Sequence, residues 1–440
     1  MKKLLFASFA VITLMSGCKS TVTETTTYKV NEPVFMSEKE FRESVKVSTR
    51  SVAVSDYGKI CFYDGYIYIS ATGKGIHIID NNNPSNPQNI GFIELLGNAD
   101  LAIRNGKLYA DAFIDLVWFD ISNPASPELK GRLENVFPQY MPCPPTGNDY
   151  VINLDKCYDE RGNIKGIIVG WEVREHTDDY SYTTGGIHWG LGIKEPLDMK
   201  SQNRPNGGIM LDPSFPAPNG SSGKNGSMSR FALYKDYLYT VIDNNMSVID
   251  LHGEEPKKAA ENIYIGYDVE TIFSYKDNMF MGTPVGMVIY SVANPLKPEF
   301  MRAIFHIFGC DPVVVEDDIA YVTIHSGNAC GQTNNDLMIY DVKDVRDPKH
   351  IVTYAMKNPK GLGIDNGTLF LCDDGLKIFD ASNPQTLLAN RLAHYSGMEG
   401  YDVIPFDNVL MMIAEDGLYQ YDYSDLSKIK QLSKFPIIRK

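Results

Sequence analysis

An apolar run of about five residues that stops on an acidic or hydroxyl residue recurs eight times along the chain. The plainest copy is LVWFD (116–120); the others are IHIID (76–80), IVGWE (168–172), MSVID (246–250), MVIYS (287–291), LMIYD (337–341), LKIFD (376–380) and LYQYD (418–422). Most successive copies begin 39 to 52 residues apart, a length that suits a sheet of about four short strands, which buries its faces only by stacking on like sheets. One domain per ~150 residues would divide the 440-residue chain into about three. The repeat overrides that division, because eight units account for nearly everything after Lys59.

Each unit opens with a short apolar strand such as DLAI (100–103) and then turns tightly, at Asp64-Gly65, Asn105-Gly106 and Asn366-Gly367. Such dipeptides accept the positive φ of a two-residue hairpin. Three positions after the turn a bulky residue recurs: Tyr68, Tyr109, Tyr150, Tyr239, Phe280, Tyr321, Phe370 and Met411. This position is expected to fill the gap between neighbouring sheets. After the apolar run, DNNNPSNP (80–87), DISNPASP (120–127) and SVANPLKP (291–298) share one turn frame, of which DASNP (380–384) keeps the first half. Asx side chains cap such reversals, and proline cannot continue a central ladder.

Hairpin-linked strands with no helical pattern between them predict an all-β chain, a β-propeller of about eight four-stranded blades. Seven blades result if the third unit, with its proline-rich PQYMPCPPTG (138–147) and no NP turn, is only an elaborated connection. The units resemble the LVIVD repeat, which LVWFD nearly spells, over about residues 59–437. The string GKICFYDGYIYIS (58–70) leading into GKGIHIIDNNNPSNP (73–87), and SMSRF (227–231), resemble segments of exported lipoproteins carrying that repeat. The resemblance implies a propeller on such a lipoprotein, and it implies no reaction and no catalytic residues.

Lys2 and Lys3, an apolar run over 4–14 and Met15-Ser16-Gly17-Cys18 read as a lipoprotein signal (1–17), with Cys18 lipidated. The apolar run falls far short of the ~20 residues a bilayer span needs. Residues 18–50 read as a threonine-rich tether, with a possible capping box at Ser37 and Glu40 opening a short helix. The propeller then occupies 51–440, interrupted by a glycine-rich irregular insertion at 174–227. Cleavage after Gly17 removes the two lysines and moves the formal charge from -14 to -16. An acidic chain without a basic stripe argues against nucleic-acid partners. The expected location is the bacterial envelope, on the outer membrane, with the lipid as the membrane contact.

Six cysteines remain besides Cys18. Cys310 and Cys330 fall on one rim of a hairpin and are the best disulfide pair; Cys143 and Cys157 flank a similar hairpin, and Cys61 and Cys372 read as buried free thiols.

For function, the starts of the first strands place Lys59, Asp100, Arg230, Asp311, Lys360 and Asp402 at one rim of the central channel, with Asp268 a weaker member. A mixed-charge ring could hold an ion, a glycan or a charged side chain. The plainer and preferred reading makes it structural, each aspartate taking up backbone N–H groups between blades. The insertion offers Trp189 and His188, which could stack on and bond to a sugar or peptide, or simply fill a crevice. His176 with His188 makes only a weak metal pair, and no catalytic, metal or cofactor signature is present. The leading expectation is a non-enzymatic binding or scaffold module for a protein or glycan. The alternatives are a carbohydrate-active enzyme using rim carboxylates and a purely architectural envelope protein.

Overall fold

The computed structural model describes residues 20–438 apart from 56–57, 139–140, 143, 145–149, 185–223, 243, 267–268, 285, 306–311 and 326–333. The chain divides into two compact units, Met1–Val34 with Cys143–Arg204, and Phe35–Pro142 with Pro205–Lys440.

In the larger unit, each described repeat copy but the third forms a four-stranded antiparallel meander. The first sheet comprises Ile60–Tyr63, Tyr66–Ala71, Gly75–Asp80 and Gln88–Glu94; the second runs from Leu101–Arg104 to Glu128–Leu133. The third spans Phe231–Tyr234 to Lys257–Tyr264, the fourth Thr271–Tyr275 to Glu299–Phe305 and the fifth Val313–Glu316 to Lys349–Ala355. The sixth spans Leu362–Asp365 to Arg391–Tyr395, and the seventh Gly400–Phe406 to Lys430–Pro436. The innermost strand of every sheet contacts that of the next, and the seventh returns to the first, so these sheets close a ring.

Local chemistry explains the repetition. Asp80, Asp120, Asp250, Asp341, Asp380 and Asp422, the last residues of their apolar runs, each accept the N–H two residues on at 2.8–3.0 Å. These Asx turns reverse the chain without a helix. The two bonds from Ser424, side chain and backbone, hold the Asp422 carboxyl down at about 2. The bulky position behaves as expected in the seven sheets: Phe280 packs with Tyr321, Val313 and Val314 of the fifth, and Phe370 with Val403 and Leu410 of the seventh. Tyr150 does not, being 44% exposed.

That exposure marks a correction. The third copy (168–172) forms no sheet of the ring; it lies in Ile167–Thr184, a strand of a three-stranded sheet with Ser20–Met36 and Val151–Ile152 in the smaller unit. Val30 and Asn31 pair in parallel with Val151 and Ile152. Residues 20–36, expected as a tether, are therefore a strand, as are 174–184 at the start of the expected irregular insertion. The Ser37–Glu40 capping box is present and opens the helix Glu38–Glu43. Phe41 on that helix is buried against Phe113, and Arg42 pairs with the buried Asp115 of the second sheet at 2.9 Å.

The ring closes without a shared strand, since the first and seventh sheets are each drawn from one continuous segment apart from short additions to the first. Met411 and Ile413 pack with Ile60, Ile67 and Ile69 across the seam. Beside them Asn81 Nδ2 donates to Gln420 Oε1 at 2.9 Å, and Gln420 Nε2 donates to Asn81 Oδ1 at 2.6 Å. Both residues are buried, so removing one amide strands the other. Asn81→Leu and Gln420→Met should each cost about 1–3 kcal/mol in urea unfolding. The double variant should cost clearly less than the sum, and simple additivity would show that the pair does not couple the two sheets.

Candidate functional site

The first strands place Lys59, Asp100 and Asp402 at the channel, each no more than 2% exposed. What meets them there is a segment distant in sequence, residues 224–230. Lys224 and Asn225 pair antiparallel with Phe62 and Cys61 of the first sheet. Ser227 then donates to Asp402 Oδ1 through both its N–H and its hydroxyl, each at 2.9 Å, and its hydroxyl accepts from Leu362 N at 2.8 Å. Two residues on, Ser229 Oγ donates to Asp100 Oδ1 at 2.7 Å, and Ile272 N donates to the Ser229 carbonyl at 2.8 Å. The Arg230 main-chain N–H donates to Asp100 Oδ2 at 2.7 Å. One strand of backbone thus bonds to inner strands of the first, second, fourth, sixth and seventh sheets.

The fit demands small residues. A Cβ on Gly226 would lie 1.9 Å from Asp402 Oδ2, and one on Gly361 2.4 Å from Asp402 Oδ1. Lys59 Nζ donates to the Met228 carbonyl and stands 3.9 Å from Asp100 Oδ2. Burial drives the Lys59 pKa well below its ordinary value, opposed by the Asp100 charge. Asp111, on the second strand of the second sheet, accepts from Ala99 N at 2.7 Å and Asp100 N at 2.8 Å. Burial pushes its carboxyl up to about 6 and that of Asp402 up to about 7, against the hydrogen bonds each receives. This is a desolvated cluster in which Asp100 and Asp402 accept from backbone N–H groups and serine hydroxyls, while Asp402 Oδ2 and Arg230 Nε have no hydrogen-bond partner among the described residues.

Lys360 is not brought into the cluster. It pairs with Glu399 beside a cavity of about 210 Å³ that Lys357, Cys372 and Asp374 also line. Asp268, Asp311, Cys18, Trp189 and His188 lie outside the described residues, as do Cys143, Cys310 and Cys330. Cys157, expected to bridge to Cys143, is a buried free thiol that donates to the Asn153 carbonyl at 3.4 Å, which corrects that pairing. Cys61 and Cys372 are buried free thiols. In the smaller unit His176 Nε2 meets Glu32 Oε1 at 2.8 Å, a pairing that holds the Glu32 carboxyl below its ordinary range. Among the described residues no group of three His, Cys, Asp or Glu is placed to hold a metal. None of the described helices is long and apolar enough to cross a membrane. Sequence reasoning missed Ser227, Ser229 and Asp111; SMSRF stood out as a string, but nothing local marked it as channel filling.

A pH dependence follows. The folded pKa values of Asp111 and Asp402 lie above that of an ordinary aspartate, so their protonated forms favour the fold. That contribution is complete below about pH 4 and is lost as pH rises through 6 and 7. Raising pH from 5 to 8 should therefore destabilise the protein, with Asp402 accounting for about 2 kcal/mol of the loss. Asp402→Asn should flatten the pH dependence of thermal unfolding over that range; an unchanged slope would mean that Asp402 is ionised in the fold.

The fold has relatives of known structure. The periplasmic gluconolactonase PpgL of Pseudomonas aeruginosa superposes with a TM-score of 0.52 at 8% identity, covering 89% of this chain and 97% of its own. The likeness at that identity is one of fold. The computationally designed Ika8 protein gives 0.46 at 8% identity over 88% and 90%, and BamB from Moraxella catarrhalis 0.41 at 10% over 90% and 96%. Among curated proteins none matches the chain. Residues 48–93 and 101–135, which hold the first and second sheets, match the model of the LVIVD repeat, and the ring of four-stranded sheets is a β-propeller fold.

Proposed function

We propose that this protein is a non-enzymatic binding module of the bacterial envelope, a seven-bladed propeller tethered by lipid at Cys18 that presents its surface to a protein or glycan. The observation that carries the reading is the occupied channel. Residues 224–230 take up Asp100 and Asp402, which an enzyme of this fold would have to offer to substrate. Hydrolysis of a glycoside needs two reachable carboxyl groups ~5 to 9.5 Å apart, one acid and one base or nucleophile. Asp100 and Asp402 are sealed from solvent, and Asp111 is 4% exposed. The anchor rests on the Lys2-Lys3 start, the short apolar run and the Ser16-Gly17-Cys18 ending. Lys19 after the cysteine gives no reason for retention at the inner membrane, so the outer membrane is the proposed location.

The fold relative PpgL is described as a gluconolactonase, so lactone and glycan hydrolysis is the activity to test against. The purified protein incubated with sugar lactones and envelope glycans should raise its melting temperature with one ligand class and leave that ligand's mass unchanged. Turnover that persists across independent preparations and scales with protein would overturn the module in favour of an enzyme. Separately, Cys18→Ala should abolish incorporation of an alkyne-tagged fatty acid and move the protein from the membrane to the soluble fraction. Continued labelling of that variant would refute the anchor.

A further inference from the structure

On the hairpin-turn side of the channel segment lies a cavity of about 370 Å³, a volume suited to a small ligand. Inner strands of the fourth to seventh sheets give it apolar walls, among them Leu362, Ile364, Val403 and Ile404. Its polar groups are Lys224, Asn225, Glu316, Asp365, Asn366, Asp407 and Asn408.

Asn225 points to a ligand. It is 6% exposed, and its Nδ2 donates to the Leu101 carbonyl at 3.0 Å, which fixes the other amide atom as the acceptor. That acceptor, Oδ1, has no hydrogen-bond partner among the described residues. Buried polar atoms are rarely left unsatisfied, so a donor is expected to reach this one.

Charge selects the donor. Three carboxyl groups face one ammonium. Glu316 receives the N–H groups of Asn366 at 3.0 Å and Gly367 at 2.6 Å. Its pKa is nonetheless raised, first by burial and then by the neighbouring Asp317 and Asp365 charges. Asp365 accepts from the Tyr423 hydroxyl at 2.8 Å. Asp407 is exposed at the mouth, at φ 48° in a tight turn, and no hydrogen bond to its carboxylate is formed among the described residues. Against these stands Lys224, whose ammonium lies 5.9 Å from the centre of the Phe406 ring and whose pKa is lowered by burial. The local excess is negative, it carries an unmet acceptor, and it has an apolar wall and an aromatic face beside it.

We infer that this cavity binds an organic cation, an alkylammonium or guanidinium group whose N–H donors reach Asn225 Oδ1 and the carboxylates while its carbon chain lies on the apolar wall. The site goes beyond the module reading and does not depend on it, because an enzyme of this fold would contain the same cavity. The cation could arrive as a free compound or as an arginine side chain, and the chemistry is shared.

The test is calorimetric titration of the full mature chain at low salt with agmatine, with cadaverine, with an N-acetylated, C-amidated tripeptide centred on arginine, and with glucose and acetate as controls. At least one cation should bind and glucose and acetate should not. Asp407→Asn, which removes an exposed charge that holds nothing in the fold, should weaken binding about fivefold. Asn225→Leu should weaken it at least about tenfold, with its melting temperature measured alongside to separate misfolding from lost contact. Tighter binding of the tripeptide would assign the source to a partner's side chain, and tighter binding of agmatine or cadaverine to a free compound. Absence of binding by every cation, equal binding by glucose, or affinity unchanged in Asp407→Asn would overturn the site.

Discussion

The structure depends on a ring that closes with no strand shared between its first and last sheets. Many circular repeat arrays could be sealed by lending a strand from one terminus to the other, but here both sheets at the seam come from continuous chain. No ladder of paired strands therefore joins these two sheets to each other. The seam's resistance to opening comes from apolar packing of Met411 and Ile413 on Ile60, Ile67 and Ile69, a buried reciprocal amide pair, and the Ile438 N–H donated to the Val54 carbonyl at 2.8 Å. The amide pair adds direction to otherwise non-directional packing. A slipped seam would leave two amides without partners in a dry interface, a cost that apolar contact alone does not impose.

Closing a ring creates a second problem at its centre, where inner strands begin around a space too narrow for a side-chain core and too polar to stay dry. The chain solves it with its own backbone. Residues 224–230 bring small side chains, two of them serines, and unpaired N–H groups into that space, and aspartates at the strand starts receive them. Lys59 supplies the opposing charge near Asp100, while Asp402 and Asp111 answer their burial by holding their protons more tightly. The cluster joins sheets that are not neighbours, so it stiffens the ring across its diameter as well as around it.

Most of the ring was legible in sequence because its information is local. An apolar run ending in Asp, followed by an Asx turn, encodes the third strand and its reversal within a few residues, and the bulky position after each hairpin turn encodes the packing between sheets. The same locality explains the error at the third copy. IVGWE satisfies the run, but any half-buried strand can, and the missing NP turn and proline-rich lead were the better indicators. The exposed Tyr150 shows that the intersheet contact was never made. The channel was half legible. Strand starts placed Lys59, Asp100 and Asp402 correctly, yet their partners come from 129 to 175 residues away, and no spacing rule reaches that far.

The two ends of residues 224–230 then differ for a physical reason. Toward Ser229 and Arg230 the segment gives its backbone N–H groups and serine hydroxyls to Asp100 and Asp402. Toward Lys224 and Asn225 the cavity's carboxyl groups outnumber its cations: Asn225 donates to the Leu101 carbonyl and leaves Oδ1 unpaired, and Lys224 stands against the carboxyl groups of Glu316, Asp365 and Asp407. Asp402 Oδ2 and Arg230 Nε are also buried without a partner among the described residues, but they do not line this cavity; Asn225 does, and there a group from outside can complete its hydrogen-bond set. Structure and recognition thus divide along a stretch of about seven residues, with channel filling at one end and, at the other, an unmet acceptor on the wall of a cavity.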